Sequence, residues 1–315
     1  MLTYLFRRVL VAIPVLLGIT FITFALLHLT PGDPIRIMLA TEQVTPEVAE
    51  RLTSFYNLDK PWYVQYAKYL GNLARGDLGV SITSRTDIAS SIANRLPNTI
   101  LLAFSSMFLA LIIAIPVGII SATHRNSIAD YASLTVAMIG VSMPSFWLGL
   151  LLLLQFGLHW KILPIWGVGH LSEGLWDFVS HLILPSVTMG TGLAALLTRL
   201  TRASMLEVLS EDFVRTARAK GLKERFVLYR HALRNAIIPV ITAAGLQLGY
   251  LLGGAVIVES IFSWPGLGRL TIQAIQKRDL PVIQVSTLVF AICFVIVTLL
   301  VDMVYTFIDP RIRYD

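Results

Sequence analysis

Six stretches of this chain contain no Asp, Glu, Lys or Arg: residues 9–32, 96–124, 131–160, 178–198, 235–258 and 280–301. Each can cross a bilayer, because about 20 apolar residues rising about 1.5 Å apiece cover a hydrocarbon core of about 30 Å. The runs lack the strict alternation of outward apolar and inward polar residues that a transmembrane β-barrel requires, whereas helices satisfy their own backbone in lipid. The expected class is therefore all-α integral membrane with six transmembrane helices. Composition agrees: 56% of the 315 residues are hydrophobic and 14% charged, far from the balance of a soluble domain.

The first run follows Arg7 and Arg8 and is too long for a signal-peptide core. It leads into "TPGDP" rather than a small-residue cleavage site, so a retained helix is expected. Six spans place both termini on one side. The connection between the fourth and fifth runs carries nine Lys or Arg against four acidic residues, and the excess of positive charge marks it and both termini as cytoplasmic. The long connection between the first two helices, residues 31–95, is balanced in charge and is expected to be extracytoplasmic. Within it Pro61 can open a helix, after which Trp62, Tyr66, Tyr69, Leu70 and Leu73 recur on one face. That helix either shapes a vestibule for a partner or forms an aromatic belt at headgroup level. No linker divides the chain, so residues 1–315 are expected to form a single transmembrane domain, with 31–95 and 199–235 as its extracytoplasmic segment and cytoplasmic loop.

The chain carries no phosphate loop, no H-E-x-x-H and no C-x-x-C, so neither catalysis nor nucleic-acid binding is indicated and no metal or cofactor is expected on it. Cys293, the only cysteine, lies inside the sixth run and reads as packing.

The segment "EDFVRTARAKGL", residues 211–222, is polar and rich in helix formers amid greasy neighbours. It places Phe213, Val214 and Ala217 on one side and Glu211, Arg215 and Arg218 largely on another. Gly221 ends the turn as a residue tolerating positive φ. A second amphipathic piece, from Lys223 to about Arg234, leads through "NAIIP" into the fifth span. Attraction to anionic lipid accounts for the charge but not for the helix and its glycine corner.

These residues resemble the inner-membrane permease subunits of ABC importers, in the branch handling dipeptides, oligopeptides and nickel complexes. Against the general signature, E-A-A-x-x-x-G followed by I-x-L-P, only Ala217, Gly221 and Leu233 match. The peptide branch looks like "EDFVRTARAKGL" and "RHALRNAIIPV" almost throughout. The resemblance extends along the chain through "PGDP" at 31–34, "GDLGVS" at 76–81, "GVSMPSFWLG" at 140–149, "ESIFSWPGLGRL" at 259–270 and "DPRIRY" at 309–314. It implies a bacterial inner-membrane, multi-pass subunit in which Glu211, Asp212, Phe213, Arg215, Thr216, Ala217, Lys220 and Gly221 form a coupling helix that docks on a separate ATPase. Phe213 and Ala217 would offer its apolar contact face.

The implied partners are a homologous second permease, two ATP-binding cassette subunits that bind ATP and Mg, and an extracytoplasmic substrate-binding protein. Short peptides are the leading cargo, with nickel complexes or glutathione as alternatives. In the fifth run Gly245, Gly249 and Gly253 recur every four residues, a small-residue face that permits close helix approach. It suits the interface with the second permease or a neighbouring span of the same chain. A stand-alone channel or secondary transporter is the competing class, but paired intramembrane charges and an inverted repeat are missing from the sequence.

Overall fold

The computed structural model describes residues 2–29 and 60–308. The "PGDP" and "DPRIRY" motifs, and most of the first half of the 31–95 segment, lie outside them. The described residues are helical apart from loops and one isolated bridge between Val80 and Asp87. In chain order the helices are α1 (Leu2–Leu29), α2 (Trp62–Ala74), α3 (Ile88–Thr123), α4 (Ile128–Ser142), α5 (Ser145–Leu152), α6 (Leu175–Leu209), α7 (Asp212–Ala219), α8 (Leu233–Ile261), α9 (Leu267–Gln276) and α10 (Leu280–Ile308).

Among the described residues five helices are long and apolar enough to cross a membrane, or six if the bent pair α4 and α5 counts as one span. The third run is thus not one straight helix: α4 and α5 meet at 101°. Pro144 explains the break, because a proline ring pushes the preceding residue out of the helical region. Met143 is extended, at φ −79° and ψ 124°. The fourth span runs further than its uncharged stretch, carrying Arg199 and Arg202 as helix. The piece from Lys223 is continuous with the fifth span through a π-helical turn, Val227–Ala232, and is not a separate helix.

The chain divides into two compact units, one of Met1–Pro97 with Gly266–Cys293 and one of Asn98–Pro265 with Phe294–Asp315. In the first, Ile88, Ile92, Leu267, Ala274, Val282 and Val285 form a buried cluster. Helix α2 follows Pro61 as expected and lies on α1: Tyr66 Oη is 3.0 Å from Thr20 Oγ1, and Phe24 meets the rings of Tyr66 and Tyr69. Burial, with Tyr66 alongside, pushes the Tyr69 phenol up to about 12.

Asp279, just before α10, is buried and accepts hydrogen bonds from Ser81 Oγ (2.5 Å), Thr83 Oγ1 (2.7 Å) and the amides of Ile82 and Thr83. One carboxylate therefore fixes the turn that follows "GDLGVS", and its full set of donors offsets the cost of burying the charge.

The second unit is built on α6, whose apolar residues pack against α3, α4, α5 and α8. Leu102, Leu184, Val258, Phe262 and Trp264 make one cluster, and Met107, Ala110, Leu197 and Val240 the next. Trp264 is fully buried and donates through its indole N–H to the Asn98 carbonyl (3.0 Å), while Asn98 donates to the Pro265 carbonyl (3.0 Å). Glu259, also fully buried, accepts from Thr99 Oγ1 at 2.7 Å. These bonds tie the start of "ESIFSWPGLGRL" to α3.

Candidate functional site: an exposed helix at the end of α6

Ser210 ends α6, and Glu211 turns the chain with extended backbone (φ −70°, ψ 149°) before α7 begins at Asp212. The Asp212 carboxylate sits in the first turn, where it complements the helix dipole. Thr216 Oγ1 donates back to the Asp212 carbonyl at 2.9 Å. At the far end Gly221 has φ +75°, and its amide donates to the Arg218 carbonyl at 2.9 Å. This left-handed residue lets the chain reverse within one turn, where a Cβ would be strained. Arg218 closes the corner with two hydrogen bonds to Glu224, 3.1 and 2.7 Å; that carboxylate raises the guanidinium's pKa further above its ordinary value.

The helix rests on its Val214 and Ala217 side. Both are buried, against Val227, with Val208 and Leu209 packed alongside. Ala217 therefore faces inward, and the expectation that it forms part of an outward docking face is corrected. The reason is cover: Val227, from beyond the corner, packs on Val214 and Ala217, while Phe213, one helical turn from Ala217 but about 100° round from Val214, stays outside that cover. Phe213 is 42% exposed, and Glu211, Asp212, Arg215, Thr216, Arg218, Lys220 and Gly221 are exposed with it. The free face is one aromatic ring set among charged and hydroxyl groups.

What carries this helix is held by a pair that the uncharged-run reading passed over. Asp130, in the first turn of α4, is buried. It accepts from Arg202 Nε (2.7 Å) and Nη2 (2.8 Å), from Ser121 Oγ (2.5 Å) and from the Asn126 amide (3.0 Å). The bidentate fork is the strong form of such a pair, and it ties α3, α4 and the extension of α6 together about two turns before α6 ends. A signal was present in Ser127 and Asp130, since Ser127 caps α4 by accepting the Asp130 amide. The partner Arg202, 72 positions on, could not be read from it. Asp279 and Glu259 were missed for the same reason.

The three glycines of the fifth span part company. A Cβ on Gly249 would sit 2.7 Å from Phe294 Cδ2, and one on Gly245 would strike Val301, so both lie against α10 of the same chain. The small-residue face at these two positions serves close packing within the chain. At Gly253 the corresponding position meets nothing within 4 Å. Among the described residues no three His, Cys, Asp or Glu side chains gather as a metal site.

Residues 114–314 match a family described as binding-protein-dependent transport system inner membrane component, and residues 1–103 match the N-terminal part of binding-protein-dependent transport system membrane components. The chain is 42% identical over 337 residues to the dipeptide transport system permease protein DppB of Escherichia coli (strain K12), covering 100% of this chain and 99% of that one. It is 44% identical over 314 residues to the glutathione transport system permease protein GsiC of the same strain, covering 100% of both. Among solved structures it is similar in fold to the MetNI methionine ABC transporter in inward-facing conformations, with a TM-score of 0.58 at 17% identity, covering 70% of this chain and 96% of that one.

Proposed function

The chain belongs to the family of binding-protein-dependent transport system inner membrane components, and from that premise we propose that it forms half of the pathway by which an ABC importer takes up short peptides. It is a multi-pass inner-membrane protein, and in this reading both termini and α7 face the cytoplasm. A homologous second permease supplies the other half of the pathway. An extracytoplasmic binding protein delivers the peptide, and two separate ATPase subunits hold ATP and Mg.

The observation that carries the proposal is the outward face of α7. Phe213, Arg215, Thr216 and Lys220 are exposed on a helix seated by Val214 and Ala217, and that helix is joined through α6 to the buried Asp130–Arg202 pair. An ATPase cleft closing on that face moves a rigid handle rather than a loop. Leverage therefore reaches α6 and, through the corner at Gly221, α8. Peptides are the cargo favoured by the dipeptide and glutathione permeases to which the chain is similar over its whole length, glutathione itself being a small peptide.

The test is uptake of labelled dialanine and of glutathione by proteoliposomes holding the complete importer with ATP inside. Uptake that needs both the binding protein and the ATPases supports the assignment. Uptake by this chain alone overturns it in favour of a self-sufficient transporter.

A further inference from the structure

Between α5, α6 and α8 lies a cavity of about 260 Å³, whose wall includes Ser145, Met189, Gly192, Gln247, Tyr250 and Leu251. Ser145, Gln247 and Tyr250 are its hydrogen-bonding side chains, and none of the three bonds to a described residue. Tyr250 touches its own chain through the edge of Phe294, ring centres 5.9 Å apart, and is 66% exposed. Gln247 and Tyr250 sit at the middle of the uncharged run 235–258, one helical turn apart on one face of α8. An amide and a phenol that faced hydrocarbon there would each cost several kcal/mol, so this face looks onto something polar. The room is real: a Cβ on Gly192 would meet only the Gly140 carbonyl, at 3.8 Å. The volume falls below the roughly 300 Å³ at which closed small-molecule pockets begin, as expected of one stretch of a wall.

We propose that this cavity lines the peptide pathway, with Ser145, Gln247 and Tyr250 hydrogen-bonding the backbone amides of a passing short peptide. The three groups are uncharged, and each both donates and accepts, which matches the peptide group common to every sequence rather than any one side chain or terminal charge. A wall of this chemistry holds peptides weakly and without choosing among them. The inference rests on the reading of the chain as a peptide permease.

The test uses the complete importer in proteoliposomes on a Cys293→Ser background, with Gln247→Cys, Tyr250→Cys and, as the control on the exposed apolar face of α3 away from the cavity, Phe108→Cys. A charged thiol-modifying reagent, which reacts with a hydrated thiolate, is expected to modify positions 247 and 250 several-fold faster than 108. Turnover with ATP, binding protein and dialanine is expected to slow that modification. Gly192→Leu, which fills the cavity, is expected to cut dialanine uptake several-fold while the complex still assembles.

Equal modification at all three positions overturns the inference, as does an unreactive thiol at 247 that cross-links to the second permease. Dialanine uptake by an importer in which 247 and 250 stay unmodified also overturns it, while leaving the peptide reading intact. If the unsubstituted importer takes up neither dialanine nor glutathione, the peptide reading fails and the inference with it.

Discussion

Arg202 grips Asp130 through two parallel hydrogen bonds, 2.7 and 2.8 Å long, across 72 positions of sequence. Of the carboxylate and its partner, the former is almost wholly enclosed and the latter about one-fifth exposed. Removing the arginine leaves a buried charge without its counter-ion, the costly way to break such a pair. Arg202→Ala is expected to lower the thermal unfolding temperature in detergent clearly more than Arg215→Ala, whose pair with Asp212 is 70% and 94% exposed. Asp130→Asn in the Arg202→Ala background is expected to recover part of the loss.

Gly221, at φ +75°, is expected to tolerate no side chain without strain. Gly221→Ala should cost about 1 kcal/mol at the corner, and Gly221→Asp should leave the complex assembled, or weakly so, while abolishing ATP-driven uptake. Pull-down of the ATPases alongside uptake separates these effects; normal uptake by Gly221→Asp would remove the coupling role.

Phe213 and Val214 are neighbours with opposite tasks. Phe213→Ala is expected to weaken ATPase binding about tenfold, some 1.4 kcal/mol, with the unfolding temperature unchanged, as for an aromatic anchor at an interface. Val214→Asp is expected to unseat α7 itself, because it places a charge against Val227. Affinity titration of the permease complex against the ATPase, paired with thermal unfolding, tells the two apart.

How much of this was legible in the sequence depended on the range of the interaction. Helix α2 after Pro61, the position of α7 and the left-handed Gly221 follow from local periodicity and capping, and the structure has all three. Ala217 went astray because helical spacing groups residues without saying which side is covered. Val227, which covers it, arrives from beyond the corner. The bend at Met143 was encoded in Pro144, yet hydropathy registers proline in an apolar run as continuity. The buried acids were least legible: a scan for uncharged runs treats Asp130, Glu259 and Asp279 as boundaries. Their burial depends on donors at Arg202, Thr99 and Ser81 that only folding brings near.

Gly249 lies against the ring of Phe294. Gly249→Ala is expected to destabilise the chain by about 1–3 kcal/mol through overpacking, and Phe294→Leu in the same chain to restore most of it. Additive losses in the double variant, read by thermal unfolding, would show that the two residues do not meet.

Tyr69 has a buried hydroxyl with no hydrogen-bond partner among the described residues, and its pKa stands at about 12 against an ordinary 10.0. A raised pKa means the folded chain holds the proton more tightly. The associated stability is present below pH 10.0 and is lost as pH rises through about 12. Tyr69→Phe is expected to be neutral or mildly stabilising at pH 7 and to remove part of the alkaline loss, as measured by unfolding across that window.

The central claim is that the outward face of α7 is where a separate ATPase grips this chain. A photo-crosslinking side chain placed at Phe213 in the assembled importer is expected to capture the ATPase subunit, and the same group at Val214 to capture only residues of this chain. Failure to capture the ATPase from position 213, in a complex that still takes up peptide at the expense of ATP, would contradict it.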